Sequence, residues 1–262
     1  MVFRYRPFAI FGLALLFGTG SAQANDVDLA FQITTMLRSA RAVVAEDKAF
    51  IVDPVAARGN TSPDDFVNGF IDKAQEKYEQ EIGSPLPAKG GTAVGQAGAH
   101  LLDAIRRVVK RAVTGEYQDQ FVWSEHKYFK KGTSAYDGQF LPARFSVEVS
   151  LAFNQNTGGK HLLRITAPER YLVNKRHAPD EWEEKAMQAV FWTSSPIAGY
   201  VSKQLQYKGK PAFRQLIPEK YEPSCLGCHG NGRGQNGANI HQSGVGGALG
   251  DIGGAISFVS FK

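Results

Sequence analysis

Cysteine is almost missing from this sequence: its 262 residues contain only two, Cys225 and Cys228, three positions apart. A framework of several disulfides, as in small secreted scaffolds, is therefore excluded. A strong charge of one sign is lacking as well, since 30 Lys and Arg stand against 25 Asp and Glu. Without a clustered basic stripe, the composition argues against a nucleic-acid partner. The hydrophobic fraction of 43% is ordinary for a globular protein with a buried core.

Long apolar runs are also scarce, and the one at the start is short. Arg4 and Arg6 precede the mostly apolar stretch Phe8 to Phe17, and Ala22 to Ala24 supplies small residues for cleavage. This pattern predicts a secretory signal peptide over residues 1–24 and a periplasmic mature protein. The alternative is an uncleaved anchor, but a bilayer span needs roughly 20 apolar residues. We therefore expect no stable membrane insertion after signal removal.

The two cysteines lie in the motif Cys225-Leu226-Gly227-Cys228-His229. A disulfide here would close a very small loop, and a thioredoxin-like thiol site would need a preceding strand pattern that the sequence lacks. A zinc site would need two further ligands at comparable spacing. Covalent haem accounts for every residue, because two thiols bond the porphyrin edge and the next histidine ligates the iron. The motif thus predicts one haem c on Cys225 and Cys228, with His229 as an axial ligand.

Hydrophobic periodicity predicts an α+β protein, with helices first and a small antiparallel sheet later that carries its helices on one side. The first helix has an apolar seam that we interpret as packing on its own domain, and the alternative is a homodimer of paired helices. The predicted helices are 27–52, 64–82, 99–113 and 180–192, and the predicted strands are 144–153, 162–166, 200–207, 212–217 and 255–261.

Three blocks of sequence resemble a known family: His177 to Glu183 (HAPDEWE), Tyr221 to Gly230 (YEPSCLGCHG) and Gly250 to Ser257 (GDIGGAIS). In that order they are similar to the Tll-type domain-of-unknown-function family of periplasmic c-type haem proteins. The resemblance implies a PAS-like fold with haem near the C-terminal glycine-rich segment. It also implies kinship with the sensor domains of histidine kinases and chemoreceptors. We divide the chain into a helical part, 25–142, and a PAS-like haem-binding part, 143–262, which form one domain with the first helix.

The chain departs from this family in three respects. His177 stands where an asparagine is expected, and residues 60–132 look like an insertion. Some relatives use a cysteine of the first helix as the second iron ligand, but this chain has no third cysteine.

The second axial ligand decides between two functions. His177 is the leading candidate because it lies in a block that resembles the family, and Met36 follows because the first helix carries the distal ligand in some relatives. A filled position suits one-electron transfer, whereas an open or weakly held one admits NO or CO. Further histidines and methionines stay open as candidates: His100, His126, His161, His241 and Met187.

The sequence therefore predicts a redox or gas-responsive periplasmic module. We find no output segment after Lys262, so we expect its signal to pass to a separate partner. The missing output segment favours the rival hypothesis, a soluble one-electron carrier between redox proteins. An enzyme such as a haem peroxidase would need distal acid–base residues that the sequence does not locate, so we expect no catalytic activity.

Overall fold

The computed structural model describes most of the chain between the predicted cleavage region and the C-terminus. The predicted signal segment lies largely outside the described part, as does most of the glycine-rich stretch that follows the Cys-x-x-Cys-His motif. The described residues are 20–116, 139–168, 171–172, 177–191, 199–223, 225–229 and 247–262.

The helices of the described part occupy mainly its N-terminal half. The α-helices are α1 (Gly20–Glu46), α2 (Lys48–Val52), α3 (Pro54–Arg58), α4 (Pro63–Ile82), α5 (Ala93–Val113), α6 (Pro142–Asn156), α7 (Glu181–Ala186) and α8 (Leu226–His229), and a π-helical turn, Met187–Phe191, continues α7. Local sequence explains where α4 begins and ends. Ser62 caps its first turn by accepting a hydrogen bond from the Asp65 N–H at 3.1 Å, and Gly83 ends it in the left-handed conformation.

Four antiparallel strands form one sheet in the order β1-β4-β3-β2. The strands are β1 (His161–Thr166), β2 (Val201–Tyr207), β3 (Lys210–Lys220) and β4 (Ile252–Phe261). The predicted hairpin is confirmed, since β2 and β3 are joined through Lys208 and Gly209, both at positive φ. The predicted α+β class with a small antiparallel sheet is confirmed as well.

The expectation that all helices lie on one side of the sheet is wrong. Successive residues of a strand point to opposite faces of the sheet, so Phe213 and Leu216, three positions apart in β3, face different layers. Phe213 belongs to the core shared with α1 and α6, whereas Leu216 packs with Met187 and Phe191 of the segment after α7. Because both faces of β3 are buried, its sequence lacks the apolar–polar alternation of a one-sided sheet, and the polar residues Arg214 and Gln215 are buried together with its apolar ones.

Residues 144–153 were predicted as a strand, and they are part of α6. The apolar alternation that suggested a strand contains Phe145, Val149 and Phe153, which are also four residues apart and share one helical face. These three side chains are buried, while Leu151 between them is 55% exposed. Pro142 lies in the first turn of α6, a position where proline is common. The sequence satisfies both the strand period and the helix period, and the segment forms the helix.

This correction leads to a testable contrast within one helix. Phe153→Ala is expected to lower the free energy of unfolding by about 3–5 kcal/mol, because it removes a fully buried ring from the core. Leu151→Ala, two residues away, is expected to change it by less than about 0.5 kcal/mol. Urea unfolding followed by circular dichroism measures both. Equal losses of unfolding free energy in the two variants would contradict the assignment of this segment to a helix, since a strand would place both side chains on the same face.

One hydrophobic core joins the helical half to the sheet. Leu37 of α1, Phe70 of α4 and Leu101 of α5 belong to the same buried cluster as Phe213 and Phe258 of the sheet. The helices α4 and α5, which lie in the region interpreted as an insertion, therefore contribute core residues. Among the described helices, none is both long and apolar enough to span a membrane.

Candidate functional site

The Cys-x-x-Cys-His motif forms a single helical turn just beyond the end of β3. The His229 N–H donates to the Cys225 carbonyl at 2.9 Å, and the Cys225 N–H donates to the Glu222 carbonyl at 2.9 Å. Cys225 is a partly exposed free thiol, and Cys228 belongs to the same turn, α8. Residues four apart in a helix lie on one side, so the turn puts Cys225 and His229 on the same side.

The segment that leads into β4 holds this turn in place through backbone hydrogen bonds. The Gly247 N–H donates to the His229 carbonyl at 2.6 Å. Before the turn, the Tyr221 N–H donates to the Asp251 carbonyl, and the Gly250 N–H donates to the Tyr221 carbonyl, both at 2.8 Å. The backbone of His229 is thus fixed relative to the sheet from both sides of the motif.

Tyr221 orients the histidine ring. Its side chain is only 8% exposed and stacks on His229, with ring centroids 5.2 Å apart and planes 21° from parallel. On its other side, Tyr171 contacts it edge to face at 6.0 Å and 89°. Aromatic contacts of this kind stabilise by roughly 0.5–1.5 kcal/mol beyond burial. The imidazole of His229 is therefore held by a buried ring that is itself held by a second tyrosine.

Two glycines make room for the Tyr221 ring. A Cβ atom at Gly247 would lie 2.1 Å from that ring, and one at Gly253 would lie 2.2 Å from it. Gly253 also lies at an irregularity of the β3–β4 pairing, where Glu219 pairs with Gly254 but Lys220 pairs with Ile252. This bulge turns the backbone of β4 against the tyrosine ring, which explains a glycine at that position.

We expect Gly253→Ala to disturb the site through Tyr221. The added methyl group cannot fit beside the ring, so the variant should lose about 1–3 kcal/mol of unfolding free energy by overpacking. The matched control is Gly69→Ala in α4, where a Cβ would meet no atom within 4 Å. Urea unfolding of both variants measures the effect. A Gly253→Ala variant as stable as Gly69→Ala would contradict the position assigned to Tyr221.

A cluster of charged residues from α1 and from the end of β3 precedes the motif. Glu219, near the end of β3, forms ion pairs with Arg38, whose Nε lies 3.0 Å from Oε1, and with Arg41, whose Nη2 contacts Oε2. Burial and the neighbouring Arg38 lower the pKa of Arg41 to about 10, while Cys225 and Glu222 act in the opposite direction. Arg41 is therefore still protonated at neutral pH and lies within electrostatic reach of the first cysteine of the motif.

The two leading candidates for the sixth ligand lie in different surroundings. The His177 carbonyl accepts a hydrogen bond from the Thr166 hydroxyl at 3.0 Å, which puts this partly exposed residue at the end of β1. The end of β1 lies at the same end of the sheet as the end of β3, from which the chain continues into the motif. Met36 is fully buried in the main core cluster. Five residues turn a helix through about 500°, so Met36 and Arg41 leave α1 on different sides. Both assignments stay predictions.

The remaining candidate ligands are dispersed in the described part of the chain. His161 begins β1, where its ring stacks on Phe258. It pairs with Ser260 of β4, which lies about 26 Å along that strand from the end of β4 that is near the motif. His100 is exposed on α5, and Met187 is buried in the smaller core cluster on the other face of the sheet. His126 and His241 lie outside the described residues.

Sequence reasoning missed the residues that support the motif. Tyr221 lies in a block that resembles the family, but nothing in the sequence of that block predicts a role for the tyrosine ring. The charges of Arg38, Arg41 and Glu219 come from segments about 180 residues apart, and no local pattern predicts such a contact. A glycine inside a strand indicates a bulge or a close backbone approach, but Gly253 precedes the predicted strand 255–261 and only the structure places it within β4.

The fold and the site together define an α+β protein whose Cys-x-x-Cys-His turn is fastened to the end of an antiparallel sheet. The model of the Tll0287-like family matches residues 22–260, which is nearly all of the chain beyond the predicted signal segment. The chain therefore belongs to the Tll0287-like family. A search of the curated proteins gave no significant match, and neither did a search of the solved structures.

Proposed function

We propose that this protein is an exported periplasmic c-type haem protein with a PAS-like fold that acts as a redox or gas-responsive module. Cys225 and Cys228 would hold one haem through thioether bonds, and His229 would bind its iron. The single observation that carries the proposal is the one-turn geometry of the motif. That geometry puts a free thiol and an imidazole on the same side of a helical turn that is held by the segment leading into β4.

The donor set fits haem better than a bare metal ion. Among the residues that the structure describes, no three His, Cys, Asp or Glu side chains cluster as ligands of a metal ion. A haem iron takes its equatorial ligands from the porphyrin and needs only one or two from the protein. One histidine beside two thiols is therefore a complete set for haem c.

The haem, when bound, supplies one-electron chemistry and, if its sixth position is open, a site for NO or CO. The protein's own residues would orient and support it. Tyr221 stacks on the His229 ring and limits its rotation, and the Gly247 N–H holds the His229 carbonyl. A fixed imidazole would keep the iron ligand in one orientation through oxidation and reduction, as the groups that pack against and hydrogen-bond to ligands do at other metal sites.

The second candidate function is a soluble one-electron carrier. A strong protein ligand in the sixth position favours it, and His177 is the better placed of the two leading candidates, since it lies at the motif's end of the sheet. Met36 has the full burial of a core methionine. Which function holds depends on whether an external ligand reaches the iron.

The experiment that separates the two functions is an absorbance spectrum of the dithionite-reduced mature protein before and after addition of CO. Sharp c-type bands that CO shifts would support the gas-responsive module. Bands that CO leaves unchanged would support the carrier. A reduced spectrum without c-type bands would overturn both.

A further inference from the structure

The charges beside the motif have a consequence for the proposed haem. Glu219 is largely buried, with 11% of its side chain exposed, and it lies between two arginines of α1. The strand that carries Glu219 runs directly through Tyr221 into the Cys-x-x-Cys-His turn. The two charges of the Arg41–Glu219 pair are therefore fixed relative to the motif by the sheet and by α1.

The contacts of the two arginines differ. Arg38 is shared between Glu219 and the exposed Glu81, which lies 3.4 Å from its Nη1. Arg41 pairs with Glu219, and Glu222 and Cys225 are its further electrostatic neighbours. Among the residues that the structure describes, Arg41 is thus a cation within electrostatic reach of Cys225, where the proposed haem would be attached.

Resting on the proposed function, we propose that Arg41 and Glu219 are an opposed pair of charges that sets the reduction potential of the haem. Reduction removes one positive charge from the iron, so a fixed cation nearby favours the reduced state and a fixed anion favours the oxidised state. Partial burial strengthens both effects, because fewer water molecules screen the charges. The pair thereby acts on the cofactor without touching the iron.

The test is a double-mutant cycle on the haem-loaded protein, read as the midpoint potential in a spectroscopic redox titration. Arg41→Gln should lower the reduction equilibrium constant at least threefold, which is about 28 mV at 59 mV per tenfold for one electron. Glu219→Gln should raise it by a similar factor. Arg41→Gln combined with Glu219→Gln should return it to within twofold of wild type. Arg41→Lys, which keeps the charge, should stay within twofold as well.

A purely structural role predicts a different pattern. Both single variants would then lose stability and shift the potential in the same direction or leave it unchanged, and either result would overturn the inference. Lys77→Gln is the matched control, because Lys77 of α4 forms a more exposed ion pair with Glu46 of α1 at 2.7 Å. It should leave the potential unchanged. A wild-type protein without haem would refute the proposed function itself, which keeps the two failures distinct.

Discussion

Replacing both cysteines of the motif, Cys225→Ala with Cys228→Ala, is expected to abolish covalent haem attachment. Thioether bonds need a thiol at each position, and the chain has no other cysteine that could substitute. After expression with haem-maturation machinery, the variant should show no haem signal on a denaturing gel, whereas the wild type should stain at the position of the polypeptide. Haem staining and the absorbance of the unfolded protein measure this directly.

A change at the histidine is the control that separates attachment from ligation. His229→Ala keeps both thiols, so covalent haem should remain while the reduced bands change in position and shape, because the iron would lose its axial histidine. Tyr221→Phe should retain wild-type bands, because a phenyl ring preserves the stacking on His229. Haem retained equally by the double cysteine variant and the wild type would contradict the attachment site.

Glu183→Gln is expected to destabilise the protein by about 3–5 kcal/mol, the usual cost of removing one partner from a buried ion pair. The Glu183 side chain is fully buried, and its Oε1 accepts from Arg214 Nη2 at 2.8 Å. Its Oε2 lies 3.4 Å from Arg164 Nη1 and accepts the Asp180 N–H at 3.0 Å. Neutralising this carboxylate would leave the buried Arg214 with its other ion pair alone, in which Nη1 lies 2.7 Å from Oδ2 of the partly exposed Asp180.

The surroundings of Arg214 explain why this network tolerates little change. Its guanidinium lies 4.6 Å from the Trp182 ring centre and 4.5 Å from that of Tyr207, between two aromatic faces. Such cation–π contacts gain strength when the cation is desolvated. The network joins α7 to β3, so its loss should loosen the layer that covers the second face of the sheet.

The matched control for this prediction is Glu181→Gln on the same helix. Glu181 pairs with Lys185 at 2.6 Å, but its side chain is 83% exposed, and exposed ion pairs contribute little to stability because water screens them. Urea unfolding of the haem-loaded variants measures both changes. Similar midpoints for Glu183→Gln and Glu181→Gln would contradict the structural role of the network.

Local signals were enough to predict several elements of the fold. Lys208 and Gly209 between two strand-like runs indicate a hairpin turn, and Ser62-Pro63 before an amphipathic segment indicates a helix start. Both features depend on interactions within a few residues. The class and the antiparallel sheet follow from such elements.

The errors arose where tertiary contacts decide. Residues 144–153 satisfy both a strand and a helix period, and only the core against which Phe145 and Phe153 pack selects the helix. The two-sided burial of β3 likewise depends on α7, which is remote from it in sequence. At the site, the motif was evident from Cys225 and His229, but Tyr221 and Arg41 acquire their roles only through the fold.

The most direct test of the account is the intact mass of the mature protein, purified from the periplasm and measured under denaturing conditions. We expect the mass of the chain without residues 1–24 plus one haem, retained because the cofactor is covalently bound. The mass of the polypeptide alone, from cells with active haem maturation, would contradict the central claim and leave only membership of the family.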